Sequence, residues 1–293
     1  MATAAQWIQG ARPRTLPAAI APVLIGSAAA YEMGAFRLVN AVLAAMVALL
    51  LQIGVNYAND YSDGIRGTDE DRVGPLRLVG SGAAEPGLVK RAAFAAFGLA
   101  MLFGLALVII TQAWWLILVG LGCVFAAWGY TGGKNPYGYL GLGDLFVFVF
   151  FGLVATLGTT YTQAGRLSLA AVIGAIGTGL IACALLMANN VRDIPTDRVA
   201  GKKTLAVRLG DKHARESYVL MLAVAILLVI VLAPAKPWML IVLLLIPASL
   251  MPSWLMIAGR RRKSLIPVLK QTGLINLGYA LLFSLGLVLS RGF

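Results

Sequence analysis

The amino-acid sequence predicts an all-α membrane protein: a polytopic bundle of nine transmembrane helices with a cytoplasmic N-terminus. Two features of composition indicate this class, because 60% of the 293 residues are hydrophobic and only 12% are charged. Soluble domains carry roughly 25% charged residues. The third observation is a series of apolar stretches, each close to the roughly 20 residues that a membrane-crossing helix needs.

The nine apolar stretches cover most of the chain. They span residues 16–35, 38–57, 90–110, 112–130, 144–163, 168–189, 216–234, 238–258 and 268–290. The N-terminus lacks the early basic segment and short cleavable core of a signal peptide, so we expect the first stretch to be retained. The loops are too short for a soluble domain, which predicts one domain over residues 1–293.

The distribution of basic residues predicts the orientation. With a cytoplasmic N-terminus, every Lys and Arg falls on the cytoplasmic side except Arg37, Arg166, Lys236 and Arg291. This bias is the one that the positive-inside rule describes. It also explains the net charge of +12 without a nucleic-acid partner, which so apolar a chain is not expected to bind. The chain is therefore expected to be a multi-pass protein of the plasma (inner) membrane.

Polar residues gather in two clusters, each after an even-numbered span. The first cluster contains Asn56, Asn59, Asp60, Asp63, Arg66, Asp69 and Arg72. The second contains Asn189, Asn190, Arg192, Asp193, Asp197, Lys202 and Lys203. Several Asn and Asp residues are spaced four apart, which places them on one face of a continuing helix. Pro195 leaves a second arrangement open, in which a helix ends between Asp193 and Asp197.

The two clusters resemble a weak internal repeat, with quasi-repeated halves of about residues 1–135 and 136–293. Two facing groups of carboxylates hold more negative charge than nearby arginines easily offset, which favours a divalent cation. Mg²⁺ takes oxygen ligands and commonly joins carboxylates to substrate phosphates, and the interleaved Lys and Arg suit the remaining phosphate oxygens. The pattern predicts a Mg²⁺–diphosphate cleft at the cytoplasmic membrane boundary.

The acidic and basic residues of these clusters also have simpler interpretations. A single acid at a helix end is usually solvated, and Lys202 and Lys203 are equally explained as positive-inside residues. A third polar segment, residues 130–144, could add Tyr130, Tyr139 and Asp144 to the cleft or form an interfacial aromatic belt. The phenylalanines that follow it are interpreted as packing or lipid-facing residues, namely Phe146, Phe148, Phe150 and Phe151.

The paired motifs carry a resemblance to a known family. Asn59-Asp60-x-x-Asp63 and Asn189-x-x-x-Asp193-x-x-x-Asp197 resemble the aspartate motifs of the intramembrane aromatic prenyltransferase superfamily. Within it, the chain looks like the actinobacterial 1,4-dihydroxy-2-naphthoate polyprenyltransferases of menaquinone synthesis. The matching stretches are residues 10–23, 54–75, 130–144, 189–210 and 265–273. Asp144 departs from the pattern, since a glutamate is expected there.

The resemblance implies a Mg²⁺-dependent enzyme that transfers a long prenyl chain from a polyprenyl diphosphate to 1,4-dihydroxy-2-naphthoate, releasing CO₂ and diphosphate to give demethylmenaquinol. It implies that Asp60, Asp63, Asp193 and Asp197 hold the metal, assisted by Asn56, Asn59 and Asn189. Diphosphate would contact Arg66, Arg72, Lys202 and Lys203. For Arg12 and Arg14 there are two interpretations, contact with the naphthoate carboxylate or topology anchoring.

Three alternatives remain open at this point. Another aromatic acceptor, such as 4-hydroxybenzoate, would use the same chemistry. A phosphotransferase for diphosphate-linked alcohols would also place aspartates at helix ends, but its Asp-Gly-rich continuous signature is missing from the sequence. A membrane transporter belongs to a different class and predicts polar residues near the bilayer midplane, whereas the ionisable residues here lie toward one surface.

Overall fold

The computed structural model describes residues 2–67 and 76–291, and all regular structure within those ranges is helical. The helices are α1 (Ala4–Gly10), α2 (Leu16–Glu32), α3 (Leu38–Gly64), α4 (Pro86–Thr111), α5 (Leu116–Gly129), α6 (Gly143–Val147), α7 (Ala155–Ala164), α8 (Leu169–Val199), α9 (Leu205–Leu227), α10 (Leu245–Ile257) and α11 (Ile266–Ser290). A π-helical segment, Phe148–Val154, joins α6 to α7. Short 3₁₀ segments precede α2, α6, α10 and α11 and follow α9.

The all-α membrane class is confirmed. Among the described residues, eight helical stretches are long and apolar enough to cross a membrane. The 14-residue α5 occupies the place of the fourth predicted span. Large apolar side chains also point outward, and on α5 Leu118 and Phe125 are 73% and 77% exposed. Such a surface suits contact with lipid rather than water.

The helix α8 forms the centre of the bundle. It packs against α2, α9 and α11, and the largest buried apolar cluster contains residues of these four helices and of α10. Glycines permit the closest approach, because a Cβ added at Gly152 would lie 2.7 Å from the Cα of Gly179. Small residues in the spans therefore allow the tight helix packing that the sequence predicts.

Two helices extend well beyond the length of a membrane span and carry the polar clusters. The helix α3 has 27 residues and α8 has 31, against the roughly 20 needed to cross. The helix α8 continues through Pro195 to Val199. The alternative in which a helix ends between Asp193 and Asp197 is therefore wrong, and the two aspartates occupy successive turns of one helix.

Separate contacts close the opposite end of the bundle. Lys236 forms an ion pair with Glu32. The guanidinium of Arg291 lies 4.4 Å from the ring centroid of Tyr31. These residues lie on the connections away from the acidic clusters. The two ends of the bundle therefore differ sharply in the number of polar groups they carry.

Candidate active site

The ends of α3 and α8 line one polar cavity of about 840 Å³. Eleven predicted residues line it: Arg12, Asn59, Asp63, Arg66, Tyr130, Tyr139, Asn189, Asn190, Asp193, Asp197 and Lys202. The structure thus brings together the two clusters that the sequence separates by about 130 residues. We refer to this space as the polar cavity.

Asp63 is the buried acid of the first cluster, with 4% of its surface exposed. Its Oδ1 accepts a hydrogen bond from the Tyr139 hydroxyl at 2.6 Å. The Nζ of Lys202 lies 3.4 Å from the same oxygen, and Arg77 Nη2 lies 3.8 Å from Oδ2. The carboxylate therefore sits among three donors, two of which are cations.

Lys202 joins the two clusters. Its ammonium contacts Asp63 and lies 4.5 Å from the ring centroid of Tyr139, while its backbone N–H donates to the carbonyl of Asp197. Burial alone would lower the pKa of Lys202, but the negative charge of Asp63, with Tyr139 and Asp197, raises the pKa above its ordinary value. Lys202 is consequently a fixed positive charge at neutral pH.

The acids of the second cluster lie along α8. The guanidinium of Arg192 forms a two-pronged bond with the Asp193 carboxylate, with distances of 2.7 and 2.6 Å. Asp197 is buried one turn further on. This geometry fixes the direction of the Asp193 side chain, since a planar guanidinium matches a carboxylate in only one orientation.

The surroundings of Asp60 differ from those of the other predicted metal ligands. It is fully buried, and its two oxygens accept hydrogen bonds from the backbone N–H groups of Leu78 and Val79, at 2.7 and 3.0 Å. It does not line the polar cavity. A helical pattern predicts the face on which Asp60 lies but not the loop that packs there, so the sequence could not distinguish this contact from metal ligation.

The two asparagines of the first cluster also have separate positions. Asn56 donates to the Ala11 carbonyl at 2.8 Å and to Thr15 Oγ1 at 3.0 Å, which ties the start of α2 to α3. The side-chain oxygen of Asn59 accepts from Thr131 Oγ1 at 2.7 Å. Asn59 lines the polar cavity and Asn56 does not.

Some of the predicted basic residues line the polar cavity and others do not. Arg66 lines the cavity and donates to the carbonyl oxygens of Thr131 and Gly133. Arg12 lines it with a left-handed backbone, φ 53°, a conformation that costs a residue with a Cβ about 1–3 kcal/mol. Arg14 and Lys203 are exposed and do not line the cavity. Asp69 and Arg72 lie outside the described residues.

An apolar cavity of about 200 Å³ adjoins the polar one, and Asn59 and Tyr130 line both. Aromatic rings form much of its wall, contributed by Tyr130, Tyr137, Phe146, Phe150 and Phe151. Three of the phenylalanines interpreted from the sequence as packing or lipid-facing residues, Phe146, Phe150 and Phe151, thus also line this cavity. Phe150 and Phe151 belong to the π-helical segment, whose wider turn is a frequent feature of functional sites.

The residues of the polar cavity that sequence reasoning missed include Arg77, Thr131 and Arg262. Arg262 lies in a run of basic residues that is equally expected from topology, so no sequence signal separates it from its neighbours. Its backbone, like that of Arg12, is left-handed, with φ 50°. Asp144, by contrast, is buried at the start of α6 and lines neither cavity.

The residues of the polar cavity fit Mg²⁺. Among the described residues, no three His, Cys, Asp or Glu side chains form a ready-made metal centre. The cavity nevertheless collects the carboxylates of Asp63, Asp193 and Asp197 with the amide oxygens of Asn59 and Asn189. Mg²⁺ is usually held by one or two carboxylates together with water and substrate phosphates. The donor set therefore suits an ion that binds together with a phosphate ligand.

Comparison with known proteins identifies the family. Residues 19–271 match the UbiA prenyltransferase family. The 1,4-dihydroxy-2-naphthoate octaprenyltransferase of Mycobacterium tuberculosis is 54% identical over 281 residues, which is 96% of each chain.

Solved structures share the fold. A UbiA homolog from Aeropyrum pernix K1 superposes with a TM-score of 0.70 at 18% identity, over 92% of this chain and 97% of that one. A homolog from Archaeoglobus fulgidus, bound to DMAPP and Mg²⁺, gives 0.68 at 17% identity, over 98% and 99%. The apolar helices, the position of the aspartate-bearing helix ends and the family match lead to one conclusion: this multi-pass membrane protein belongs to the UbiA prenyltransferase family.

Proposed function

We propose that the protein transfers a polyprenyl chain from a polyprenyl diphosphate to 1,4-dihydroxy-2-naphthoate, with loss of CO₂ and diphosphate, to give demethylmenaquinol. The observation that carries the proposal is the junction of a polar, aspartate-lined cavity with an apolar, aromatic one. A prenyl diphosphate has a charged end that suits the polar cavity and an apolar end that suits the apolar cavity. The name of the mycobacterial relative supports the naphthoate acceptor.

The polar cavity would hold the diphosphate. Lys202 and Arg66 line the cavity as cations, and Arg77 adds a third. Asp63, Asp193 and Asp197 would hold Mg²⁺, which when bound draws negative charge onto the departing diphosphate. Fixed cations stabilise the same charge without reorganising as it develops. Asp60, whose carboxylate is bound to the backbone of Leu78 and Val79, would support this wall instead of holding the metal.

The allylic end of the prenyl chain would lie at the junction, beside Asn59 and Tyr130. When the C–O bond to diphosphate breaks, both electrons leave with the diphosphate and the allylic carbon becomes electron-poor. The rings of Phe146 and Phe150 line the adjoining cavity, and aromatic faces attract a positive charge. The apolar walls also exclude the water that would otherwise trap this carbon.

The acceptor would bind in the polar cavity with its carboxylate toward Arg12 and Arg262. Both arginines line that cavity, whereas Arg14 does not. A ring carbon of the electron-rich naphthoate forms the new C–C bond to the allylic carbon. The ring carboxylate leaves as CO₂, and its bonding electrons return to the ring.

The active site would face the cytoplasm of a bacterial inner membrane. Apart from Arg37, Arg166, Lys236 and Arg291, the basic residues of the sequence fall in segments on the side of the membrane where the positive-inside rule expects the cytoplasm. Labelling of Ser81→Cys in intact cells by a membrane-impermeant maleimide tests this orientation. Labelling from outside, in the background of a variant without native cysteines, would contradict it.

The two-half organisation, about residues 1–135 and 136–293, is also a proposal. It is supported by α3 and α8, which both extend beyond a membrane span and both bring acids to the polar cavity. Each half would then supply one wall of the diphosphate site.

Purified protein in lipid nanodiscs tests the function directly. We expect a prenylated product and an equal amount of CO₂ when 1,4-dihydroxy-2-naphthoate, a polyprenyl diphosphate and Mg²⁺ are supplied together. Product analysis by mass spectrometry with 4-hydroxybenzoate as the competing acceptor gives the control. Preferential prenylation of 4-hydroxybenzoate without CO₂ would contradict the acceptor assignment, and uptake of the acceptor into vesicles without any product would favour the transporter alternative.

A further inference from the structure

A second, basic cavity of about 380 Å³ adjoins the polar cavity and shares Arg192, Pro195 and Arg262 with it. Its charged lining consists of Arg192, Arg198, Asp211, Arg215, Arg261 and Arg262. Three segments that are distant in the sequence supply these residues: the end of α8, the first half of α9 and the connection from α10 to α11. The cavity is thus a product of the fold and not of one basic stretch.

Positive charge exceeds negative charge in this basic cavity. Arg192 is paired with Asp193, and Arg215 is paired with Asp211. Within residues 2–67 and 76–291, no carboxylate lies within ion-pair distance of Arg198, Arg261 or Arg262. Arg198 and Arg261, which line only the basic cavity, therefore have no ion-pair partner among the described carboxylates.

One wall of the basic cavity is rigid. Arg215 is buried, with 3% of its surface exposed, and it donates to both oxygens of Asp211 and to the Met256 carbonyl at 2.9 Å. These bonds fix the guanidinium in position. A buried arginine held in this way is not expected from topology alone, because positive-inside residues are ordinarily solvated at the membrane surface.

Neighbouring cations provide a comparison within the same loop. Arg260 and Lys263 flank the two cavity arginines, are exposed, and line neither cavity. Only Arg261 and Arg262 of this basic run face the cavity. All four side chains are exposed, and the two pairs differ in whether they line the basic cavity.

We propose that the basic cavity is a binding site for a phosphate group, separate from the site of prenyl transfer. Guanidinium groups bind phosphate oxygens through paired N–H donors. The phosphate could belong to an anionic phospholipid headgroup or to free diphosphate, because Arg192, Pro195 and Arg262 line both this cavity and the polar one. The proposal goes beyond prenyl transfer and holds for any reaction in the polar cavity.

The experiment compares two double variants with the unmodified protein in phosphatidylcholine nanodiscs. Arg198→Gln with Arg261→Gln removes two cations that line only the basic cavity. Arg260→Gln with Lys263→Gln removes the same charge from the surrounding surface. Thermal unfolding is followed as either sodium diphosphate, with EDTA present, or phosphatidylglycerol is increased, against KCl at equal ionic strength.

We expect one of the two probes to raise the unfolding temperature of the unmodified protein and the surface variant. The cavity variant should need on the order of tenfold more of that probe for the same effect. A response to diphosphate alone identifies a soluble anion, and a response to phosphatidylglycerol alone identifies a lipid headgroup. Equal responses of the two variants to both probes would overturn the proposal. If the cavity variant does not fold, the single variants are compared by native mass spectrometry for retained phosphatidylglycerol or diphosphate.

Discussion

The ammonium of Lys202 lies 3.4 Å from the carboxylate of Asp63, and this contact joins the two acidic clusters of the chain. Lys202 follows α8 and Asp63 lies near the end of α3, 139 positions apart in the sequence. Tyr139 adds a hydroxyl to the same carboxylate. The polar cavity is therefore held together by residues from α3, from the connection before α6 and from the connection after α8.

Replacing Asp63 should remove most of the activity. We expect Asp63→Asn to lower kcat by about 10²–10³-fold, the range found when one group that stabilises developing charge is lost. Steady-state kinetics with saturating prenyl diphosphate measures the effect. Glu85→Gln, an exposed acid at the start of α4, is the matched control. Activity within twofold of the unmodified enzyme would remove Asp63 from the site.

Replacing Asp60 should affect stability as well as turnover. Asp60→Ala leaves the N–H groups of Leu78 and Val79 without their buried acceptor, at a cost of about 2–4 kcal/mol. We expect a lower unfolding temperature in detergent than for the unmodified protein. An unchanged unfolding temperature would show that the carboxylate does not hold this loop.

The ion pair of Lys202 makes a pH-dependent contribution to stability. Because the pKa of Lys202 is raised above its ordinary value of 10.5, the contribution is complete below that pH and is lost as the pH rises through the folded-state pKa. The unfolding temperatures of the unmodified protein and Lys202→Met should therefore differ by a constant amount at neutral pH and converge in strongly alkaline solution. Lys203→Met, at an exposed neighbour, should show no such convergence.

Removing divalent cations should stop the reaction reversibly. We expect EDTA to abolish product formation and added Mg²⁺ to restore it, because the candidate ligands in the polar cavity are all oxygen atoms. Zn²⁺ favours nitrogen and sulfur ligands and should restore little activity. Higher activity with Zn²⁺ than with Mg²⁺ would be incompatible with the proposed donor set.

Filling the apolar cavity should weaken binding of the prenyl substrate. Cys123 lines that cavity, so Cys123→Trp should raise the KM for the prenyl diphosphate about tenfold, since the lost contacts cost about 1.4 kcal/mol. Phe125→Trp, on the same helix at a position 77% exposed, is the control. Equal KM values for the two variants would place the prenyl chain elsewhere.

The sequence is sufficient to predict the helices and the general position of the site. Span length and charge bias follow from properties of single residues, and the four-residue spacing correctly places Asp63, Asp193 and Asp197 on helix ends. The distinction between Asp60 and Asp63 depends on the packing of the loop that contains Leu78 and Val79, which is a tertiary contact. The selection of Arg262 over its basic neighbours has the same origin.

The aromatic wall of the apolar cavity shows a second limit of prediction from the sequence. From the sequence, Phe146 and Phe150 are expected to be ordinary residues of a membrane helix, because a phenylalanine in such a helix usually faces lipid. Phe146 lies in α6 and Phe150 in the π-helical segment that follows it, and both line the apolar cavity. The hydrophobic pattern of the sequence does not indicate a π-helical turn, so the apolar cavity could not be predicted from that pattern.

The small size of the apolar cavity affects which substrates the enzyme can distinguish. At about 200 Å³, it is smaller than the roughly 300–1,000 Å³ of pockets that enclose a drug-sized ligand, and a long isoprenoid exceeds such a ligand. Only the units next to the reacting carbon can be enclosed, and the remainder must extend into the bilayer. We therefore expect that the enzyme does not select its donor by the length of the prenyl chain. It should accept donors with different numbers of repeats, so that the length of the quinone side chain is fixed by whichever donor the cell supplies.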